Sequence, residues 1–222
     1  MIPWMHSAVL RFDGAQTVAE DGRAVLSNLT FAVASGQMAA VVGANGSGKT
    51  TVLLACCGVM NLRGAAELGG HDLTTAAGRM AVRGKAVLVP EDMGDFFLTS
   101  TVEQELELTA RLQGWDRKQI VEKVRAAWEG AGIGGDIAQP LAGLGRGEIL
   151  HTVLAVLNMM EPWLTAWDGI HRQLDDTSRA LLLQEWKRMT EQGAIVLVSC
   201  LREDELPMAD VVIKLGMDNG GR

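Results

Sequence analysis

The segment Gly43-Ala44-Asn45-Gly46-Ser47-Gly48-Lys49-Thr50 fits the spacing G-x-x-x-x-G-K-[ST]. Its glycines let a backbone wrap an anion with several N–H groups turned inward and no Cβ in the way. A helix N-terminus following directly adds partial positive charge. In this pattern Lys49 reaches the β- and γ-phosphates and the Thr50 hydroxyl takes a place on Mg²⁺. The flanks supply the required context. Gln37–Val42 is a continuous apolar run, as expected of a strand buried on both faces, and Lys49–Met60 reads as a helix.

Outward from this loop, apolar periods and turn residues predict alternating strands and helices. Ala8–Phe12 and Leu29–Ala34 read as strands joined by a turn at Asp21-Gly22, residues 64–73 as a small hairpin, and Lys85–Val89 as a buried strand. Val102–Leu112 and Asp116–Glu129 read as helices, the second with Asp116 as N-cap. Arg146–Met160 has helical spacing, Trp163–Trp167 reads as a strand ending on Asp168, and Thr177–Gln192 as a helix. Ala194–Ser199 and Val211–Leu215 close the sheet. The expected fold class is α/β, a sheet with crossovers interrupted by a helical insertion near residues 101–140.

Composition narrows the function. The chain has 222 residues, 48% hydrophobic and 21% charged, with a formal charge of −7. That balance suits a globular domain and disfavours a broad basic face for nucleic acid. Three cysteines, two of them adjacent (Cys56, Cys57, Cys200), point to a reduced compartment. Met1–Leu10 lacks the pattern of an export signal, and no apolar run approaches the roughly 20 residues of a spanning helix. The chain contains six Trp and no Tyr.

With Gly43–Thr51 placed, the chain resembles the ATP-binding subunit of an ABC transporter over nearly its whole length. The nucleotide-binding residues implied are Gly43, Ala44, Asn45, Gly46, Ser47, Gly48, Lys49, Thr50 and Thr51. Pro162-Trp163-Leu164-Thr165-Ala166-Trp167-Asp168 resembles the family's Walker B strand, and Leu174-Asp175 its D-loop. The resemblance implies ATP with Mg²⁺ as ligands, Thr50 and Asp168 in the metal shell, and a single ABC-type domain over residues 1–222. The fold implied is a P-loop NTPase (RecA-like) core with an N-terminal antiparallel β subdomain and a helical insertion subdomain; the core would cover about 1–90 and 160–222, the helical subdomain about 95–160. It further implies a membrane permease and a second ABC ATPase subunit, identical or not, as partners. The place implied is the cytoplasmic face of the cell membrane, without spanning it.

Other motifs of the family are present in position and altered in chemistry. The catalytic glutamate after the Walker B aspartate is replaced by Gly169, which cannot act as a base. The histidine after the next strand is Cys200. The Q-loop glutamine corresponds to Glu91, still able to ligate Mg²⁺ but adding negative charge. The signature loop is placed at Leu144-Gly145-Arg146-Gly147-Glu148, ahead of the rival register 141–145. There Gly145 removes a serine hydroxyl, and Arg146 either seeks phosphate or blocks close approach. The loop from Asp13 to Leu26, which should stack adenine, holds no aromatic residue. Pro90–Phe97 and Thr101–Leu106 resemble energy-coupling-factor ATPases, which power importers. No catalytic residue is assigned, and the resemblance implies ATP binding with impaired hydrolysis. An ATP-sensing regulatory module or a scaffold of the same fold is the alternative.

Overall fold

A computed structural model describes residues 9–18, 24–131 and 136–216. Two compact units emerge. The first comprises residues 1–88, 162–169 and 186–222; the second comprises 89–161 and 170–185.

The first unit holds two sheets. The parallel one is built from β3 (Met38–Val42), β6 (Ala86–Val89), β7 (Leu164–Trp167), β8 (Ile195–Cys200) and β9 (Val211–Lys214), in the order β6-β7-β8-β3-β9. Every residue of β3, β7 and β8 is buried, which is why these strands read as continuous apolar runs without alternation. Their register puts Val42 beside Cys200 and Trp167 beside Val198, so their C-terminal ends align. In open parallel sheets that edge is where ligands bind.

The antiparallel sheet takes β1 (Val9–Val18), β2 (Ala24–Ala34), β4 (Asn61–Leu68) and β5 (His71–Asp72) in the order β2-β1-β4-β5. Strands β1 and β2 run longer than the sequence predicts, because Asp13–Val18 pairs on both sides despite its turn-like Asp-Gly. Bulges absorb the mismatch. Gly14 sits at φ 58, and the bare Cα of Gly64 allows close approach, since a Cβ there would lie 2.8 Å from Gly14 O. Residue 8, predicted as strand, and residues 19–23 of the expected adenine loop lie outside the described residues.

Helix α1 (Lys49–Cys56) is shorter than predicted: Cys57 caps it and Gly58 at φ 71 turns the chain away before Met60. Cys56 and Cys57 are both buried, as core packing requires, and burial pushes their thiols up, Cys57 to about 12. A short helix, α2 (Ala76–Ala81), went unforeseen. Thr75 caps it, and Gly78 lets it press against Asp72, where a Cβ would lie 1.8 Å from a carbonyl oxygen. Trp167 is core filler, T-shaped against Trp186 at 5.6 Å, with its Nε1 donating to Thr165 Oγ1. Trp163 is half-buried. It stacks on His71 and carries Lys85 Nζ 4.2 Å over its ring.

The second unit contains α3 (Val102–Leu112), α4 (Arg117–Ala131) and α5 (Arg146–Met160) around their own apolar cluster, including Leu106, Val124 and Val156. Asp116 accepts from the amides of Lys118 and Gln119 as the expected cap. Buried Glu105 on α3 is satisfied by the amides of Leu98 and Thr99 and the Thr99 hydroxyl. Helix α6 (Asp176–Glu191) starts in this unit and ends in the first.

Candidate functional site

Strand β3 feeds the glycine loop directly, and backbone bonds pin its start: Gly43 N donates to Cys200 O, and Leu215 N to Val42 O. Ser47 N donates back to Ala44 O, closing the turn. Gly48 lies at φ 95 as the N-cap of α1; a Cβ there would fall 2.7 Å from the Leu26 side chain. A Cβ on Gly43 would crowd the Ser47 hydroxyl. At Gly48 the left-handed backbone itself favours glycine, for a reason that precedes any ligand.

The loop presents donors. Lys49 is 8% exposed, and its Nζ donates to Gly43 O at 2.8 Å and Ala44 O at 2.9 Å. Both partners are neutral, so they do not cancel the charge. Ser47 Oγ is buried and, among the described residues, makes no hydrogen bond. A nearly buried ammonium and an orphaned hydroxyl on one loop fit a multiply charged oxyanion such as a triphosphate.

The metal candidates Thr50 and Asp168 meet. Thr50 Oγ1 donates to Asp168 Oδ2 at 2.5 Å, across 118 residues of sequence. The other oxygen of Asp168 accepts from Ser199 Oγ at 2.6 Å. Ser199 is fully buried at the end of β8, a polar residue in an otherwise apolar strand. Sequence reasoning passed over it, although a lone serine closing such a strand is a readable signal. A hydroxyl and a carboxylate in contact are the hard oxygen donors that Mg²⁺ prefers.

At the position following Asp168 the backbone is left-handed, with Gly169 at φ 67. Cys200, the last residue of β8, is fully buried; its Sγ lies 3.8 Å from Val198 O, and its carbonyl serves Gly43. Neither residue offers a carboxylate or an imidazole.

The remaining predicted residues lie in the second unit. Glu91, in the turn after β6, is exposed, and its Oε1 accepts from Gln173 Nε2 at 3.2 Å. Residues 141–143 form a single 3-10 turn, and α5 starts at Arg146 with Gly145 as N-cap. Glu148 Oε2 accepts from Gly145 N, and Arg146 Nη1 donates to Gln173 O at 3.1 Å. Gly147 packs close to α6, where a Cβ would lie 3.3 Å from Ser178 Oγ. Leu174 is buried. Asp175 caps α6 by accepting from Ser178 N and Oγ, which holds its carboxyl below the usual range. Gln173 and Arg179, which tie this segment together, were not singled out in the sequence.

Comparison with known proteins gives a consistent picture. Residues 26–170 match the family profile described as ABC transporter. The energy-coupling factor transporter ATP-binding protein EcfA1 of Streptococcus sanguinis (strain SK36) is 25% identical over 196 residues, 88% of this chain and 70% of its own length. EcfA1 of Bacillus licheniformis is 27% identical over 202 residues, 90% of this chain and 70% of its own. Among solved structures, cbiO1 from Clostridium perfringens, described as part of the ABC transporter complex cbiONQ, superposes with a TM-score of 0.76 at 20% identity. That match covers 94% of this chain and 87% of the other. At this identity the structural likeness speaks for the fold.

Proposed function

Because the chain belongs to the ABC transporter family, we propose that it is the ATP-binding subunit of an importer of the energy-coupling-factor type, one that binds MgATP and hydrolyses it slowly by itself. Its similarity to EcfA1 proteins supports the importer assignment. The chain as a whole, residues 1–222, serves as one ABC-type domain, with a core of about 1–90 and 160–222 and a helical subdomain of about 95–160. It works at the inner face of the membrane, docked on a permease and paired with a second ABC ATPase subunit. Among the described residues no helix is long and apolar enough to cross a membrane.

One observation supports the reading: in the first unit Lys49 lies on the glycine loop and Thr50 meets Asp168, while the residue after Asp168 is a left-handed glycine. Backbone N–H groups of residues 43–51 would hold the phosphates, with Lys49 as the cation and Ser47 Oγ as a further donor. Thr50 and Asp168 would hold Mg²⁺, with Ser199 orienting the carboxylate. The metal, when bound, neutralises phosphate charge. Glu91, the weaker metal candidate, engages Gln173 in the second unit. Helix α5 starting at Arg146 favours 144–148 as the signature loop, with Leu174-Asp175 as the D-loop.

No side chain at Gly169 or Cys200 can take a proton from an attacking water at neutral pH. Loss of a general base costs about 10²- to 10⁴-fold in rate. Against a typical turnover of about 10 s⁻¹, this chain alone should turn over at about 0.001 to 0.1 s⁻¹. In an asymmetric pair the other subunit would supply the glutamate. The test is titration of the purified chain with a fluorescent ATP analogue. Saturable, Mg²⁺-dependent binding lost in Lys49→Ala supports the proposal. No saturable binding up to millimolar analogue would leave the fold as a scaffold.

A further inference from the structure

Two of the positions that depart from the family pattern carry opposite charges, Arg146 and Glu91, and both contact one residue. Gln173 accepts from Arg146 through its main-chain oxygen at 3.1 Å and donates from its side-chain amide to Glu91 at 3.2 Å. Its own amide is fixed by Ile170 O at 2.9 Å. Around it the segment is held at every step. Arg179 donates from Nε to His171 O and from Nη2 to Leu174 O, and Asp175 accepts from Ser178. Three carbonyls within four residues, those of His171, Gln173 and Leu174, thus face a guanidinium.

We propose that Arg146, Gln173 and Glu91 form a clasp within the chain, in which Arg146 is a positioning residue for the 171–175 loop and Glu91 anchors the Gln173 side chain. Arginine suits this place because its planar fork hydrogen-bonds a carbonyl while its charge remains available. A glycine at 146 would leave Gln173 O without this donor, and removal of the Glu91 oxygen would release the Gln173 side chain. The two departures meet at Gln173: a cation on its main-chain oxygen, a carboxylate on its side-chain amide. The clasp needs no nucleotide and holds whether or not the chain binds one.

Hydrogen exchange of the purified full chain, without nucleotide, reads it directly over peptides spanning 170–178. Arg146→Ala and Glu91→Ala should each raise exchange there by about 2- to 10-fold, the worth of one partly solvated hydrogen bond. Their combination should give less than the product of the two, because both act through Gln173. Glu91→Gln keeps an acceptor oxygen and should stay near wild type, and Arg146→Lys should lie between wild type and alanine. Gln173→Ala removes only the amide that Glu91 receives and leaves the carbonyl for Arg146, so it should match Glu91→Ala, and exchange at wild-type level would overturn the Glu91 half of the clasp. Exchange unchanged in both alanine variants would overturn the clasp, as would a Glu91→Gln effect equal to that of Glu91→Ala. Unchanged exchange together with a more than tenfold loss of MgATP affinity in Arg146→Ala would reassign Arg146 to a nucleotide.

Discussion

Restoring a glutamate at position 169 should not restore a normal ATPase, and the reason lies in the backbone. Gly169 adopts φ 67, where a Cβ crowds the following carbonyl and costs about 1–2 kcal/mol. The fold tolerates such a residue elsewhere, as Asn28 at φ 58 and Glu161 at φ 47 show, but in a strained state. For a chain of this size 1 kcal/mol moves Tm by about 2–4 °C, so a substitution here should lower Tm by about 2–8 °C. The series Gly169→Asn, Gly169→Ala and Gly169→Glu separates backbone from side chain. Asparagine tolerates left-handed geometry and should lose least. Alanine and glutamate should lose more, and by similar amounts, since the cost resides in Cβ. A melt of each variant without nucleotide, paired with phosphate-release kinetics, measures both quantities. The Glu variant should gain less than the roughly 10²- to 10⁴-fold a well-placed base supplies, because relieving the strain at position 169 shifts the backbone that carries the carboxylate. An unchanged melting point in the Ala variant would refute the reasoning. So would a Glu variant that turns over at about 10 s⁻¹ at full stability, a typical enzyme rate.

Ser199→Ala removes the hydroxyl that fixes Asp168 Oδ1 and should raise the Mg²⁺ concentration needed for ATP binding by about 2- to 10-fold, measured by titrating Mg²⁺ at fixed nucleotide. The buried thiols make stability fall in alkali. Cys57 is raised to about 12 by burial, so the native state binds its proton more tightly than the unfolded chain does. The stabilisation is therefore complete below the ordinary thiol pKa and is lost as pH climbs from about 9 toward about 12. Melts across that window should show the loss, reduced in Cys57→Ala relative to its own neutral-pH value; equal slopes would contradict it. For the same reason a thiol reagent at pH 7.5 should leave Cys56 and Cys57 unmodified in the native chain and react once it is unfolded.

Much of the phosphate loop and its sheet was legible because local and global signals agree there. Val41 and Val42 are buried in the strand, Gly46 and Gly48 hold left-handed backbone, and Asp168 directly follows a strand aligned with β8. The antiparallel sheet was read too short, because its extension through Asp13–Val18 comes from pairing with two partners, which no local pattern encodes. Helix α2 was missed because six residues give little periodicity and Gly78 argues against a helix unless its contact with Asp72 is known. The contact of Thr50 with Asp168 spans 118 residues and was reached through resemblance. Gln173 and Ser199 escaped notice because they matter through hydrogen bonds to residues distant in sequence, two for Gln173 and one for Ser199. The opposite charges at Glu91 and Arg146 were visible in the sequence, but only the fold shows that they share Gln173.

The most direct measurement is the fate of ATP bound to the purified chain. The chain, in excess over radiolabelled ATP and with Mg²⁺ present, is quenched over time, with Lys49→Ala run in parallel. A binding-competent, base-less site should hold the nucleotide and convert it at no more than about 0.1 s⁻¹, while the variant retains none. Conversion at about 1 s⁻¹ or faster, abolished in Lys49→Ala, would show a working base in this chain and contradict the proposal.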